Sequence, residues 1–245
     1  RRKYDKPINE EFTMKFLNSF FSWILKQRMH QIDLFLKYPV EVQYELFRKL
    51  IDAGTHTEWG KKYSYSSIDS IKGYQENVPI STYEDLKPYI ERIRSGQQYL
   101  LWPTEVKWFA KSSGTTSDKS KFIPVSNESL EECHYKAGKD MLAIYCNNYP
   151  ETTIFTARGI AVGGSHTIHE VNSQDYYTGD LSAILMKNLP FWAELLRSPD
   201  ISIALMDEWE EKIQKIAETT VNQNIVHLSG VPSWSLLLLE HVLRH

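Results

Sequence analysis

The sequence predicts an α/β fold, a mostly parallel sheet flanked by helices, and three observations predict it. Residues up to about 100 carry apolar positions at helical spacing, punctuated by Pro and Gly. Beyond them, apolar and β-branched runs at 106–110, 152–162 and 225–228 alternate with amphipathic stretches. After the first of these runs comes a loop of small hydroxyl residues, and donor-rich loops at strand ends are where α/β proteins hold ligands.

Taken in order, Phe12, Phe16, Leu17, Phe20, Trp23 and Ile24 recur at helical spacing, so a helix is expected over about 11–36 with its aromatic face in the core, or with part of that face exposed if the rest of the protein is missing. Tyr38-Pro39 breaks it. A second helix, 40–53, closes on Gly54 as a C′ residue. Residues 61–81 read as loop with a short helix near 68–75. Ser81 or Thr82 caps a helix over 83–94, with Glu84 and Asp85 in its first turn and Ser95-Gly96 beyond its last. Val106 to Ala110 is a short strand, and Asn127 caps a helix reaching about Cys146. Thr152 to Val162 is a buried strand ended by Gly163-Gly164-Ser165. Gly179-Asp180 opens a short helix, Pro190 starts another, and 206–219 is amphipathic. Residues 225–228 form a strand, Gly230 to Ser233 a turn, and 234–243 a last helix with Ser233 as its N-cap. The helical segment thus covers about 1–100 and the α/β part about 101–245.

Composition narrows the function. The 245 residues are 42% hydrophobic and 24% charged, a globular balance. A net charge of −3 with scattered Lys and Arg disfavours a nucleic-acid partner. No run of 18 apolar residues exists, so no membrane span is expected. Cys133 and Cys146 form neither a disulfide framework nor a zinc knuckle, which favours free thiols and a cytoplasmic setting. The chain does not begin with Met and ends on an apolar helical run, so a fragment is expected.

The chemistry centres on residues 112–125, Ser-Ser-Gly-Thr-Thr-Ser-Asp-Lys-Ser-Lys-Phe-Ile-Pro-Val. Small side chains let a backbone approach a ligand, while N–H groups, hydroxyls and lysines offer donors and charge, the properties that hold a polyphosphate. Composition alone also fits an ordinary polar turn. A Walker A loop is disfavoured, because it needs Gly at position 119, where Lys stands.

Ser112-Ser113-Gly114-Thr115-Thr116 with Lys121 resembles the phosphate-binding signature of acyl-adenylating enzymes, and more closely that of the plant auxin-responsive (Gretchen Hagen three) family of acyl-acid amido synthetases and its bacterial relatives. Asn77-Val78-Pro79-Ile80-Ser81-Thr82-Tyr83-Glu84-Asp85-Leu86-Lys87-Pro88-Tyr89-Ile90 is similar to that family's approach to the loop. Gln43, Thr57-Glu58-Trp59-Gly60-Lys61 and Gly230-Val231-Pro232-Ser233-Trp234 fit as well, so the resemblance runs from about Pro39 to the C-terminus. It implies the N-terminal portion of the large domain of an adenylate-forming enzyme. Such an enzyme joins a carboxylic acid to ATP with Mg²⁺, then passes the acyl group to an amine such as an amino acid. The fragment is expected to be inactive alone. Two alternatives stay open: a thiol acceptor such as coenzyme A, or a non-enzymatic relative that binds a ligand or partner.

By the resemblance, Ser112, Ser113, Thr115 and Thr116 supply donors to the phosphates and Gly114 permits close approach. Lys121 falls on the family's lysine position and pairs with the pyrophosphate portion. Asp118 stands where plant members carry glycine, a departure that places a negative charge in the loop. Gly163, Gly164 and Ser165 could line the cleft near the acyl substrate or form a plain turn. His166-Thr167-Ile168-His169-Glu170 lacks the His-Glu-x-x-His pattern on a helix, so no protein-held metal site is expected. Ser182 and Ser229 lack a Gly-x-Ser-x-Gly context, which argues against a serine hydrolase. Trp234 is expected in the core at a helix start.

Overall fold

The structure, a computed structural model, describes residues 8–112, 121–164, 166–167 and 176–244. The chain falls into two compact units: Gln31–Tyr135 with Thr167–Thr178, and Arg1–His30 with Lys136–His166 and Gly179–His245.

In the first unit, Tyr38 separates helix α1 (Ile8–Lys37) from α2 (Pro39–Gly54), whose first turn takes Pro because its N–H has no helical partner. Gly54 is the last helical residue of α2, followed by Thr55 in the right-handed region, so it is not a left-handed cap. Its neighbourhood is crowded instead. A Cβ on Gly60 of α3 (Glu58–Lys62) would lie 2.0 Å from the Gly54 carbonyl oxygen. Buried Thr57 ties the crossing, donating to the Gly54 carbonyl (2.7 Å) and accepting from the Gly60 N–H (2.9 Å). After α4 (Ile71–Asn77), α5 (Tyr83–Arg94) opens with a capping box in which Asp85 accepts from the Thr82 N–H and hydroxyl, both at 2.7 Å. Gly96, at φ 102°, ends the segment as expected.

Ile90 and Ile93 of α5 bury with Leu100, Val106, Phe109 and Tyr176, each such side chain stabilising by about 1.5–3 kcal/mol. Phe109 belongs to β1 (Trp108–Lys111), which pairs with β2 (Phe122–Val125) in an antiparallel hairpin. The sheet order is β2-β1-β5-β4, with β4 at His166–Thr167 and β5 at Tyr177–Gly179. The helix expected from Asn127 is capped one residue earlier, by Ser126, whose Oγ accepts from the Ser129 N–H at 3.1 Å. It runs through π-helical turns at Ser129–Tyr135 into α6 (Lys136–Asn148).

The second unit is a three-layer arrangement. Its sheet, order β6-β3-β7, is parallel: β3 is Arg158–Val162, β6 Arg197–Ser198 and β7 Ile225–Gly230. β3 begins only at Arg158. Residues 152–157 turn instead, with Thr156 donating its N–H (2.9 Å) and hydroxyl (2.7 Å) to the Thr153 carbonyl. Asn18 clamps that turn at the Thr152 carbonyl (2.9 Å) and the Phe155 N–H (3.1 Å), so local hydroxyl bonding overrides β propensity. Ile160, Val162 and Leu228 face α10 (Trp209–Thr220) and α11 (Pro232–Arg244) through Ile213, Ile216, Ala217 and Leu238. Ala161 packs the opposite face against α7 (Leu181–Lys187) and α9 (Ile201–Ala204). A short α8 (Phe191–Leu195) follows Pro190 as expected.

The mixed α/β class matches expectation, with parallel pairing around β3 and an antiparallel hairpin at β1–β2. The aromatic face of α1 follows the exposed alternative rather than the core one. Phe16, Phe20 and Trp23 are 63%, 46% and 60% exposed, whereas α1 buries Ser22 and uses Asn18, Phe21 and Arg28 for contacts. Ser233 is not the cap of α11, which begins at Pro232.

Candidate functional site

The hydroxyl-rich run lies in sequence between β1 and β2, which pair as an antiparallel hairpin. The ladder from Trp108↔Val125 to Lys111↔Phe122 continues into a neck made by Ser112 and Lys121. There the Ser112 N–H donates to the Lys121 carbonyl (2.9 Å), and the Lys121 N–H donates to Ser112 Oγ (3.1 Å). These bonds occupy the backbone donors of both residues, so what remains for a ligand at the neck is the Ser112 hydroxyl hydrogen and the Lys121 ammonium. Ser113, Gly114, Thr115 and Thr116 lie outside the described residues, as does Asp118.

Lys121 is exposed, and its Nζ lies 5.2 Å from the centre of the Tyr83 ring. The Tyr83 hydroxyl accepts from the Phe122 N–H at 3.0 Å. At the far end of α5, the Arg94 guanidinium lies 3.8 Å from the Phe122 ring centre. Helix α5 therefore fastens the first residue of β2 at two points. Lys111, also exposed, is opposite Phe122 across the ladder. The arrangement presents cations on a narrow backbone neck, which suits an anionic ligand.

The other expected residues belong to the second unit, at the carboxyl end of β3. The chain leaves β3 for β6 on one side and later reaches β7 on the other, so the strand order reverses between β3 and β7. Ligands in open parallel sheets bind outside the carboxyl ends of strands at such a reversal. Gly163 and Gly164 emerge there; Ser165 lies outside the described residues. The Gly164 N–H donates to Ser182 Oγ (3.0 Å). Both glycine carbonyls accept from Lys212 Nζ, at 3.0 and 3.2 Å. The space is tight: a Cβ on Gly163 would lie 2.5 Å from Met186 Cε, the movable tip of a flexible side chain, and one on Gly164 1.8 Å from Asp180 Oδ2 and 2.7 Å from its Cβ.

Lys212 is 2% exposed, and burial pushes its ammonium below the ordinary lysine range, with the charges of Asp207 and Asp180 opposing. Sequence reasoning missed it. The signal was present: the buried stripe of α10 runs Ile213, Ile216, Ala217 and Thr220, and Lys212 occupies the same stripe one residue before Ile213. Trp234 is partly buried and packs against the core at the start of α11, 4.8 Å from Trp209 ring to ring. The His169 and Glu170 positions lie outside the described residues; among the described residues no three His, Cys, Asp or Glu gather as a metal site.

Comparison with known proteins places these features. Residues 28–244 match the family model described as the GH3 family N-terminal domain. The chain is 31% identical over 101 residues to indole-3-acetic acid-amido synthetase GH3.2 of Arabidopsis thaliana, covering 41% of this chain and 18% of that protein. It is 28% identical over 104 residues to jasmonoyl–L-amino acid synthetase JAR4 of Nicotiana attenuata, covering 42% of this chain and 18% of that protein. A solved GH3.15 acyl acid amido synthetase superposes over 100% of this chain and 40% of its own, with a TM-score of 0.67 at 18% identity, which shows a shared fold. The matched stretch is thus a minor part of each curated relative's length. With its family model matched from residue 28 to residue 244, the chain belongs to the GH3 family.

Proposed function

We propose that the protein carrying this chain adenylates a small carboxylic acid with ATP and passes the acyl group to an amine, an amino acid in the first instance. The observation that carries the reading is the hairpin neck, which holds Ser112 and Lys121 together by one backbone bond and one from the Lys121 N–H to the Ser112 hydroxyl, within a family-matched segment. The names of the relatives support it: they include amido synthetases for indole-3-acetic and jasmonic acids and a 4-substituted benzoates–glutamate ligase. In the first step a carboxylate oxygen attacks the α-phosphorus of ATP and pyrophosphate leaves. In the second the amine attacks the acyl carbonyl, AMP leaves, and the nitrogen loses a proton.

In this reading the neck meets the β- and γ-phosphates. The Lys121 ammonium stabilises the departing pyrophosphate; Ser112, Ser113, Gly114, Thr115 and Thr116 contribute the remaining donors. Mg²⁺ is carried mainly on phosphate oxygens, since that ion is normally held by one or two carboxylates plus substrate. Gly163, Gly164 and Ser165, at the strand-order reversal, line the acyl side. Residues 1–245 form the N-terminal portion of the large adenylating domain, helical over about 1–100 and α/β over about 101–245. We place the enzyme in the cytoplasm, a reading supported by free Cys133 and Cys146 and by described helices too short or too polar to cross a membrane.

The test is acid-dependent exchange of label between pyrophosphate and ATP. It uses the full-length protein with Mg²⁺ and pooled aromatic and aliphatic acids. Exchange that requires an acid, and that falls about 100-fold in Lys121→Ala, is the expected result. ATP binding without exchange in any pool removes the adenylation step from the reading. No ATP binding overturns the reading altogether.

A further inference from the structure

We infer that Tyr83 is a positioning residue for Lys121, an inference that rests on the adenylation reading of the hairpin. Tyr83 is the first residue of α5 and follows directly on the Thr82–Asp85 capping box, so its backbone is held from the preceding turn. Its body packs against the cluster of Ile90, Ile93 and Phe109, alongside Phe122. Two atoms groups of one side chain then address two consecutive residues of the hairpin. The hydroxyl oxygen accepts the Phe122 N–H at 3.0 Å, and the ring lies under the Lys121 ammonium at 5.2 Å.

The topology explains why this matters. Among the described residues β2 is an edge strand in the order β2-β1-β5-β4, and an edge leaves alternate N–H groups without a ladder partner. Lys121 uses its N–H toward Ser112, inside the neck, while Phe122 offers its N–H to Tyr83. Tyr83 thereby sets where β2 starts, and with it where the Lys121 side chain leaves the backbone. The ring supplies a second restraint. A lysine has about 2 kcal/mol of rotamer freedom to lose, and an aromatic face that holds its ammonium near the neck reduces what phosphate binding must remove. The face attracts the cation without offering an anion, so a phosphate can draw the ammonium away without breaking a salt bridge.

The experiment measures ATP affinity of the full-length protein by calorimetric titration with Mg²⁺-ATP, for Tyr83→Leu and Tyr83→Phe, in the Lys121 and Lys121→Ala backgrounds. Tyr83→Leu should weaken ATP about fivefold when Lys121 is present, from loss of the ring restraint. Tyr83→Phe keeps the ring and should recover most of that loss. Tyr83→Leu should have no further effect on ATP in the Lys121→Ala background, while lowering the melting temperature in both backgrounds. Equal weakening in both backgrounds, or unchanged affinity in Tyr83→Leu, overturns the inference and leaves the adenylation reading standing. Wild-type protein that binds no ATP overturns both.

Discussion

Two lysines, one in each unit, define the comparison. Lys121 is exposed at a hairpin neck, its ammonium resting over a ring face. Lys212 is buried in α10, its ammonium fixed on the Gly163 and Gly164 carbonyls. The same side chain serves two ends. An ammonium over a ring keeps its three N–H donors for an anion, whereas one bonded to carbonyls in a dry site holds the backbone and leaves little for a ligand. The exposed ammonium stays open to an anion; the buried one fixes the Gly163 and Gly164 backbone.

The comparison breaks most sharply on stability. Lys212→Met keeps much of the side-chain volume but leaves two carbonyls without their donor, and should cost about 3 kcal/mol in urea denaturation. Lys121→Ala should shift stability by less than about 0.5 kcal/mol, as for an exposed site, while lowering exchange about 100-fold in the proposed reading. The buried lysine also has a pH signature. Its folded pKa is lowered from 10.5, so between that lowered value and 10.5 the unfolded state binds more protons. Rising pH through this window therefore stabilises the fold, and the stability difference between wild type and Lys212→Met should widen. Denaturation midpoints of both proteins from pH 7 upward give the answer. A constant difference would mean that Lys212 keeps an ordinary pKa, and the contrast with Lys121 would lose its electrostatic half.

A smaller effect tests how rigid the crevice unit is. The His227 ring lies directly over Gly159: a Cβ on Gly159 would sit 1.8 Å from Nε2 and 2.0 Å from Cε1. Burial lowers the His227 pKa, favouring the neutral ring, and Nδ1 has no hydrogen-bond partner among the described residues. Gly159→Ala should cost about 2 kcal/mol through overpacking, because a ring wedged between parallel strands has little room to turn. Adding His227→Ala should make the glycine substitution nearly free, a strong coupling between neighbours. If Gly159→Ala costs the same with and without the ring, the close approach is not what selects glycine there.

Legibility followed the same division. Caps such as Thr82 were readable because they act over three residues, whereas the run from Ser112 to Lys121 offered its chemistry only as an expectation from residue type and order. Helical periods located α1, α2, α5, α10 and α11, since each is long enough to show its repeat. What failed depended on partners distant in sequence. Lys212 looked like one more charge on a polar helix until Gly163 and Gly164, some 48 residues away, supplied acceptors. The aromatic stripe of α1 obeyed the helical period yet pointed outward, because Asn18 and Arg28 found partners at Thr152 and Asp140. Gly54 read as a cap, but a Cβ there would press on the Tyr65 ring at 3.0 Å, and its carbonyl is what keeps Gly60 small. Period reveals that a helix exists, not which face its neighbours will take.

The smallest expected effect concerns the support behind Lys121. Asp85 accepts from the Thr82 hydroxyl and N–H, and these bonds hold its carboxyl below the usual aspartate range. A carboxylate with a lowered folded pKa contributes stability that is present above the unfolded value and lost as pH falls through the folded one. Asp85→Asn should therefore lower the melting temperature slightly at neutral pH, with the difference from wild type closing in acid below the ordinary aspartate value of 3.8. Its bearing on the comparison comes through Tyr83, the next residue along from the box. If α5 positions the hairpin, loosening its first turn should weaken ATP binding more than it lowers the melting temperature of the chain as a whole. A fall in stability with ATP affinity untouched would show that the neck is set by its own ladder, and that the exposed lysine needs no help from the helix behind it.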